Sequence, residues 1–369
     1  MAVDRPLLVL HDTEEGHLVY DLHLDGEEEE TLTCFPCPVA RFTSPQLWCC
    51  SFAVSGGCVL GVMLARGYDF WERQPSPRCR ESEGRLVQWW PMFRSYTSRP
   101  LGGRRHRDSP AMLPMADGTV VRMDTILFDG IYSFETLRLD PGGGGGCHAA
   151  PLPNPPVGRL AEDEIVFMTA YLALGTRVWI SLNRKGAFSF DAERGTWQRE
   201  GAGTFSFDTE RGTWQREGAW LLPFEGRALY VPELDSVIGL TAGTRLLCAC
   251  DVKSGGTPPV VRYVWRETFP LPWEECISDG GDRPPSRPRD MPSLAYLGKG
   301  RICICRPMST TEPNDYGPPA TYDASSFLVV VVKRLPNGEL LLAKRGKMTY
   351  MWPPQGRQSP YIGFIQPAT

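Results

Sequence analysis

The chain has 369 residues, a formal net charge of −4 and a pI near 5.8. This balance excludes attraction of the whole molecule to phosphate backbones or anionic membranes, because both carry negative charge themselves. Its 42% hydrophobic and 22% charged residues are those of an ordinary globular protein and exclude an intrinsically disordered chain.

Glycine and proline are both frequent, with 38 and 34 residues. Both are unfavourable inside helices, so the composition predicts many turns and few long helices. Short runs with alternating hydrophobic residues recur along the chain, for example at 18–23, 47–54, 119–128 and 177–182. The chain is therefore predicted to be all-β.

A long series of brief strands favours one closed unit in which several sheets stack around a common axis, as in a β-propeller. At about 45 residues per blade, and with allowance for long loops, the length predicts five to seven blades, and we expect six. The clearest hairpin is formed by residues 329–334 and 339–343, which flank Asn337-Gly338. This dipeptide tolerates the positive φ angles that a tight turn requires.

Three stretches interrupt the strand pattern, at about residues 74–110, 141–156 and 278–292. They are rich in arginine, serine, proline and glycine, and the second contains a run of glycines at 142–146. Because strand patterns resume after each stretch, we interpret all three as solvated loops within a single domain of residues 1–369. A division into two domains at the glycine run is the alternative.

A tandem repeat occupies residues 186–202 and 203–219. The copies differ only at Ala187 against Thr204 and at Ala192 against Thr209. Each copy predicts one β-hairpin, since two phenylalanines alternate onto one face, a turn follows, and a tryptophan begins the return strand. Half a blade is thus duplicated. Because a closed ring fixes the number of integrated strands, we expect the extra hairpin to be poorly integrated.

The region around the repeat and the C-terminal region together resemble a known family. The resemblance rests on Val178-Trp179-Ile180-Ser181, on residues 203–209, 212–214 and 218–233, and on residues 333–340 and 344–347 with Tyr350-Met351-Trp352-Pro353-Pro354. These segments resemble a plant family, expanded in grasses, that carries only a domain-of-unknown-function label. The match is best from about residue 164 to the C-terminus.

The resemblance implies a kelch-like β-propeller with a single copy of the hairpin, and it implies no activity. The order Phe-Ser-Phe-Asp, turn, Trp is similar to the second half of a kelch blade. The sequence departs from the kelch pattern at Gly186-Ala187 and Gly203-Thr204, where kelch blades carry two glycines.

Recognisable catalytic motifs are absent from the sequence. Its five histidines supply few general bases or metal ligands, and the metalloprotease, serine-hydrolase and phosphate-loop motifs do not occur. The sequence therefore favours a protein that is not an enzyme, with no cofactor and no metal site. The alternative is an enzyme whose active site lies in the propeller channel, with acids such as Asp191, Asp235 or Asp251 taking part.

The twelve cysteines are expected to be reduced thiols. Cys34 and Cys37 have the spacing of half a zinc site, but no second close pair completes it with the same spacing. The pairs Cys248 and Cys250, and Cys303 and Cys305, each place two thiols on one face of a strand. There, buried cysteine behaves as a small hydrophobic residue, so we predict core packing.

An arginine-rich segment, residues 78–107, is interleaved with aromatic residues. Guanidinium groups bind phosphate and aromatic rings stack on bases, so nucleic-acid binding is one alternative, and a nuclear localisation signal at 104–107 is another. A solvated loop whose tryptophans pack onto a blade is the preferred interpretation. The candidate interaction residues in this segment are Trp89, Trp90, Arg94, Arg99, Arg104, Arg105 and Arg107.

The function that the sequence favours is a non-catalytic scaffold that binds other proteins. The loops of a closed propeller offer recognition surfaces and need no reactive residue. We expect a protein partner rather than a membrane or a nucleic acid. The sequence has no secretory pattern and no apolar run long enough to span a bilayer, so we also expect an intracellular protein, cytoplasmic or nuclear.

Overall fold

A computed structural model describes most of the chain. The described residues are 7–12, 16–22, 31–42, 47–55, 58–65, 68–69, 74–75, 84–90, 95–100, 110–128, 134–139, 147–153, 165–182, 188–191, 196–199, 203–218, 220–253, 257–268, 292–312, 320–351 and 363–365. Within them the protein is all-β, as predicted, and the helices are two short 3-10 turns, Pro232–Leu234 and Arg266–Thr268. No helix in this part of the chain could cross a membrane, given its length and polarity.

Three sheets contain four antiparallel strands each. The first, in the order β30-β1-β2-β4, consists of β1 (Leu7–Asp12), β2 (Gly16–Asp21), β4 (Ala40–Phe42) and β30 (Gly363–Ile365). The second, in the order β10-β9-β6-β5, consists of β5 (Leu47–Ser55), β6 (Cys58–Ala65), β9 (Gly84–Trp90) and β10 (Ser95–Pro100). The third, in the order β11-β12-β14-β15, consists of β11 (Pro110–Pro114), β12 (Val120–Asp124), β14 (Phe134–Leu139) and β15 (Cys147–Pro151). The first sheet thus joins strands from the two ends of the described chain.

A nine-stranded sheet contains two further groups of four antiparallel strands. One group consists of β16 (Ile165–Leu174), β17 (Arg177–Leu182), β20 (Gly203–Asp208) and β21 (Thr213–Gly218). The other consists of β22 (Phe224–Val231), β23 (Ser236–Thr241), β24 (Leu247–Asp251) and β25 (Val260–Trp265). The groups are joined by a short parallel pairing of β16 with β22, which includes Tyr171 opposite Arg227. In addition, β13 (Ile126–Phe128) pairs with residues 165–167 at the start of β16.

The last large sheet has five strands in the order β26-β27-β28-β29-β3. Its strands are β3 (Thr31–Cys34), β26 (Ser293–Gly298), β27 (Arg301–Glu312), β28 (Ala320–Arg334) and β29 (Leu340–Met351). Two small sheets pair β7 (Tyr68–Asp69) with β8 (Gln74–Pro75), and β18 (Phe188–Asp191) with β19 (Thr196–Arg199). We number six units in chain order: the first three sheets, the two groups of the nine-stranded sheet, and β26–β29.

Among the described residues, five clusters of buried side chains contribute to the core, and each lies between two units. They fill the spaces between units 2 and 3, 3 and 4, 4 and 5, 5 and 6, and 6 and 1. Successive residues of a strand point to opposite faces, so one strand serves two clusters. In β27, Ile302 and Ile304 pack towards unit 5, whereas Cys303 and Cys305 pack towards unit 1.

Each unit has one edge strand that lies next to edge strands of other units. We call these six strands the leading strands: β30, β5, β11, β16, β22 and β26. β30 is adjacent to both β5 and β26, β11 is adjacent to both β5 and β16, and β22 is adjacent to both β16 and β26. The sheets therefore approach each other at one edge and are separated by apolar side chains elsewhere.

The interval 74–110 is not a loop throughout, which corrects the sequence prediction. Strands β9 and β10 lie within it and pair with each other, and β9 also pairs with β6. The valine and the two tryptophans at 87–90 favour a strand, but the surrounding arginines and prolines outweighed them. The interval 141–156 likewise contains β15. The third predicted loop, 278–292, lies outside the described residues except for Pro292.

The two copies of the repeat differ in their pairing. The second copy supplies β20 and β21, and β20 pairs with β17 over its full length, from Arg177 opposite Asp208 to Leu182 opposite Gly203. The first copy supplies β18 and β19, which, in the described part of the chain, pair only with each other. One hairpin thus completes unit 4 and the other forms a separate two-stranded sheet.

Candidate functional site

A cleft of about 630 Å³ lies at one end of units 5 and 6, where β22, β24 and β28 end. Positive and negative side chains line it in equal number. The charged residues are Asp235, Asp251, Lys253, Arg262, Arg334 and Glu339. Tyr230 and Tyr263 add two aromatic rings. Aromatic residues are enriched in protein–protein interfaces, and charged residues are typical of the rim of such interfaces.

The hairpin between β28 and β29 forms one wall of the cleft and turns at Asn337-Gly338 as predicted, but of these two residues Gly338 alone has a positive φ. Gly338 has a φ of 85°, and the amide of Leu335 donates to the carbonyl of Glu339 at 2.7 Å. The Arg334 guanidinium donates to the carbonyl of Gly338 at 3.0 Å and to that of Leu234 in unit 5. Because carbonyl oxygens carry no formal charge, these bonds fix the guanidinium while its positive charge stays available.

The opposite wall comes from the ends of β24 and β25. Arg262 contacts Asp251 through both Nε and Nη2, each 2.9 Å from Oδ2. This pair is partly exposed, so it orients the two side chains more than it stabilises the fold. Lys253 follows closely, is exposed, and forms no ion pair or hydrogen bond with the residues that the structure describes. Within the described part of the chain, its ammonium group is therefore available to bind a ligand.

The floor of the cleft carries a tyrosine bonded to a carboxylate. The Tyr230 hydroxyl donates to Asp235 Oδ1 at 2.8 Å. This bond, followed by burial and by the negative charge of Asp235, raises the pKa of Tyr230. The phenol thus stays protonated across the neutral range and serves as a hydrogen-bond donor rather than as a base.

Polar contacts link units 5 and 6 at both ends of the strands of unit 5. Tyr296 in β26 donates to Glu233 Oε2 at 2.5 Å, and the amide of Lys299 donates to Glu233 Oε1 at 3.2 Å. In addition, Arg306 in β27 is buried and donates to the carbonyl of Arg245 at 2.8 Å. Burial, with the nearby Arg245 charge, lowers the pKa of Arg306 to about 9. Glu233 is close in sequence to the cleft residue Asp235, whereas Arg245 belongs to the turn between β23 and β24 at the opposite end of unit 5.

Replacing Glu233 by glutamine is expected to remove part of the acid sensitivity of the fold. Burial raises the pKa of Glu233, but the hydrogen bonds from Tyr296 and Lys299 outweigh it and lower the pKa overall. A lowered carboxyl pKa contributes stability above the unfolded value, which is lost as pH falls through the folded value. Urea unfolding from pH 7 to pH 3 should therefore show a smaller drop in unfolding free energy for Glu233→Gln than for the natural protein.

The matched variant Tyr296→Phe removes the donor instead of the acceptor and should reduce the same acid-dependent drop. At neutral pH each variant should lose about 0.5–1 kcal/mol, the low end for a hydrogen bond, because Glu233 is exposed. Unfolding curves that keep the full acid-dependent drop in both variants would show that this contact does not form.

The residues predicted for an interaction loop lie only partly within the described chain. Trp89 and Trp90 belong to β9 and Arg99 to β10, and Trp89 is opposite Tyr96 in the ladder. Arg94, Arg104, Arg105 and Arg107 lie outside the described residues. An interaction role for this segment stays a prediction, and the cleft between units 5 and 6 is formed by other residues.

Two of the acids named for a catalytic channel line the cleft together. Asp251 is bound by Arg262 and Asp235 by Tyr230, so each carboxylate already has a partner. Asp191 belongs to β18 in the first copy of the repeat. The sequence analysis named all three acids for one channel site, whereas the cleft is lined by Asp235 and Asp251 and not by Asp191.

The paired cysteines lie in the core, as predicted. Cys248, Cys250, Cys303 and Cys305 are completely buried. Burial raises the pKa of Cys248 to about 12 and also raises that of Cys303. Because the thiolate is the reactive form, these thiols are inert at neutral pH. Cys37, by contrast, is exposed.

The described strands define an all-β protein of several antiparallel sheets with a mixed-charge cleft between two of them. The chain belongs to the family described as "Protein of unknown function (DUF1668)", which matches residues 8–202 and 199–350. The two matches meet where the first copy of the repeat ends and the second begins. No curated protein matches the sequence.

Several solved structures share a distant likeness in shape. A chain of the nidogen/laminin complex has 9% identity and a TM-score of 0.38, with 93% of this chain and 98% of that chain covered. A fungal alcohol oxidase of the AA5 family, in complex with copper, has 12% identity and a TM-score of 0.39, with 81% and 54% covered. A protein from Lactobacillus plantarum has 9% identity and a TM-score of 0.35, with 95% and 99% covered. At such scores these likenesses carry no argument about this chain.

Proposed function

We propose that this protein is a six-bladed, kelch-like β-propeller that acts without catalysis as an intracellular protein-interaction scaffold in plant cells. Each of the six units is one blade in this proposal. The cleft between units 5 and 6 is the surface that binds the partner.

The order of contacts between leading strands carries the propeller proposal. Starting from β30, the neighbours are β5, β11, β16, β22 and β26, and β26 is again adjacent to β30. A series of six strands that returns to its start is what radial closure requires. The apolar clusters between successive units support the same arrangement, because blades of a propeller stack face to face.

The kelch-like part of the proposal rests on the second copy of the repeat. Its Phe-Ser-Phe-Asp segment forms β20 and its tryptophan lies in β21, so the hairpin supplies the third and fourth strands of unit 4. The sequence resemblance concerned the second half of a kelch blade. The position of the hairpin within its unit agrees with that resemblance.

The surface around the cleft suits a protein partner. Edge strand β25 exposes Val260, Val261 and Val264 by 40–47% of their area, next to the charged lining. An extended segment of a partner could place apolar side chains on these valines and a carboxylate on Lys253, since protein interfaces combine an apolar centre with polar contacts at the rim. Rigid walls on both sides reduce the entropy lost on binding.

Proximity labelling in plant cells tests this function. The natural protein and two charge reversals would be compared: Lys253→Glu inside the cleft and Lys344→Glu on an exposed part of β29 outside it. The proposal predicts a reproducible set of partners that the natural protein and Lys344→Glu share and Lys253→Glu loses. The purified partner should bind Lys253→Glu about tenfold more weakly or worse. No reproducible partner, or equal binding by all three proteins, would overturn the proposal.

A further inference from the structure

The two copies of the repeat have nearly the same sequence but different positions in the fold. Residues 203–219 complete unit 4 by pairing with β17, whereas β18 and β19 from residues 186–202 form a separate hairpin. Since 15 of the 17 positions are identical, the first copy carries almost everything that the second uses to pair with β17.

Most contacts that hold the second copy can be made equally by the first. The ladder between β17 and β20 consists of backbone hydrogen bonds, which do not depend on side-chain identity. Asp208 accepts from Arg177 at 3.4 Å and from the amides of Glu210 and Arg211 at 3.1 Å each. The first copy has the same three residues at the corresponding positions, Asp191, Glu193 and Arg194.

One described side-chain contact distinguishes the copies. The Thr209 hydroxyl donates to the carbonyl of Thr176 at 2.6 Å, in the turn between β16 and β17. The first copy has Ala192 at this position and cannot make this bond. The other difference, Thr204 against Ala187, lies at the far end of the hairpin, opposite Ser181.

The chain connections permit either copy to occupy the edge of β17. Strand β17 ends at Leu182, which is opposite Gly203, and Gly218 is opposite Thr204. Both points where the unused copy leaves the sheet therefore lie at the same end of unit 4. The unused copy is a seventeen-residue insertion before the paired hairpin in one arrangement and after it in the other. Because loop-closure entropy depends weakly on length and the lengths are similar, it hardly favours either arrangement.

We propose that the two hairpins compete for the edge of β17 and that both arrangements are populated in solution. The arrangement with residues 203–219 in place is the major one, and the Thr209 hydroxyl sets the ratio. A single partly exposed hydrogen bond of ordinary strength favours its arrangement roughly fivefold. Unit 4 is therefore a two-state element built from a duplicated segment, and this does not depend on the proposed function of the cleft.

Hydrogen exchange of the full chain, followed by mass spectrometry, tests the proposal because Ala192 and Thr209 give the copies different masses. When the two arrangements interconvert, an amide is unpaired for a fixed fraction of the time. The protection factor of that amide cannot exceed the inverse of this fraction. The amides of 203–208 should thus be protected only roughly sixfold relative to an unpaired hairpin, for a fivefold preference. Amides of a strand held by one arrangement alone would be protected by orders of magnitude more.

Variants that move the threonine hydroxyl from one copy to the other test whether it determines which hairpin pairs with β17. In Ala192→Thr/Thr209→Ala, the proposal predicts that the greater protection moves to residues 186–191. The matched control Ala187→Thr/Thr204→Ala keeps the Thr176 contact and should leave the greater protection on 203–208. Thr209→Ser retains a hydroxyl and should behave as the natural protein does. Protection that stays large on 203–208 in the first variant would overturn the proposal, since chain position would then select the hairpin.

Discussion

Replacing Gly300 by alanine is expected to destabilise the protein by about 3 kcal/mol or more. Gly300 has a φ of 71°, a conformation that costs a residue with a Cβ about 1–2 kcal/mol. An added Cβ would also lie 2.3 Å from the carbonyl oxygen of Val332, which is a backbone atom and cannot rotate away. The turn before β27 would have to move from β28, and the hydrogen bond from the Val332 amide to the Gly300 carbonyl, at 2.9 Å, would be strained or lost.

Gly338→Ala is the matched control for this prediction. Gly338 has a similar φ of 85°, but a Cβ added there would meet no atom within 4 Å outside its chain neighbours. Alanine there should cost only the conformational part of the effect, about 1–2 kcal/mol. Denaturant unfolding of the two variants separates the contributions. An equal loss in both would show that β27 and β28 are not packed closely at Gly300.

Removing both hairpins, residues 186–219, is expected to abolish folding, whereas removing residues 186–202 alone should leave stability within about 1 kcal/mol of the natural protein. The double removal takes away β20 and β21 and uncovers β17, in which Trp179 and Ile180 are completely buried. The single removal leaves β17 connected to β20 through residues 183–185, which is a usual hairpin length.

Removing residues 203–219 instead is the matched comparison. The first copy is then the remaining hairpin, and it should pair with β17 and yield a folded protein. Without the Thr209 hydroxyl this protein should be about 1 kcal/mol less stable than the one that lacks 186–202. Thermal unfolding of the three shortened chains measures these differences. An unfolded chain after removal of 186–202 would show that the first copy has a structural role that its pairing does not reveal.

Much of the secondary structure could be predicted because strand patterns are local. Alternating residues such as Val178 and Ile180, and the turn dipeptide Asn337-Gly338, specify their conformation through neighbours in sequence. Strands β9 and β10 were missed because charged and proline-rich surroundings obscured a shorter alternating pattern. The duplicated hairpin was visible as a repeat, but its two different pairings depend on the single edge that β17 offers.

The cleft could not be predicted in the same way, because contacts between distant segments form it. Glu233 and Tyr296 bond across two units, and Arg334 reaches the carbonyl of Leu234. No sequence period relates such residues, whereas the arginines of 78–107 stand out by their clustering. Asp235 and Asp251 were named only as acids for a catalytic channel, and their partners Tyr230 and Arg262 could be assigned only from the fold.

In the proposed closed ring of six units, β30 completes the first unit by pairing with β1. In that ladder Leu7, Leu8 and Val9 are opposite Ile365, Phe364 and Gly363, and Leu8 is completely buried. Thermal unfolding of a chain lacking residues 363–369, compared with one lacking only 366–369, tests closure directly. A closed ring predicts a melting temperature lower by about 5 °C or more in the first chain and unchanged in the second. Identical melting temperatures for both chains and the natural protein would contradict a closed ring.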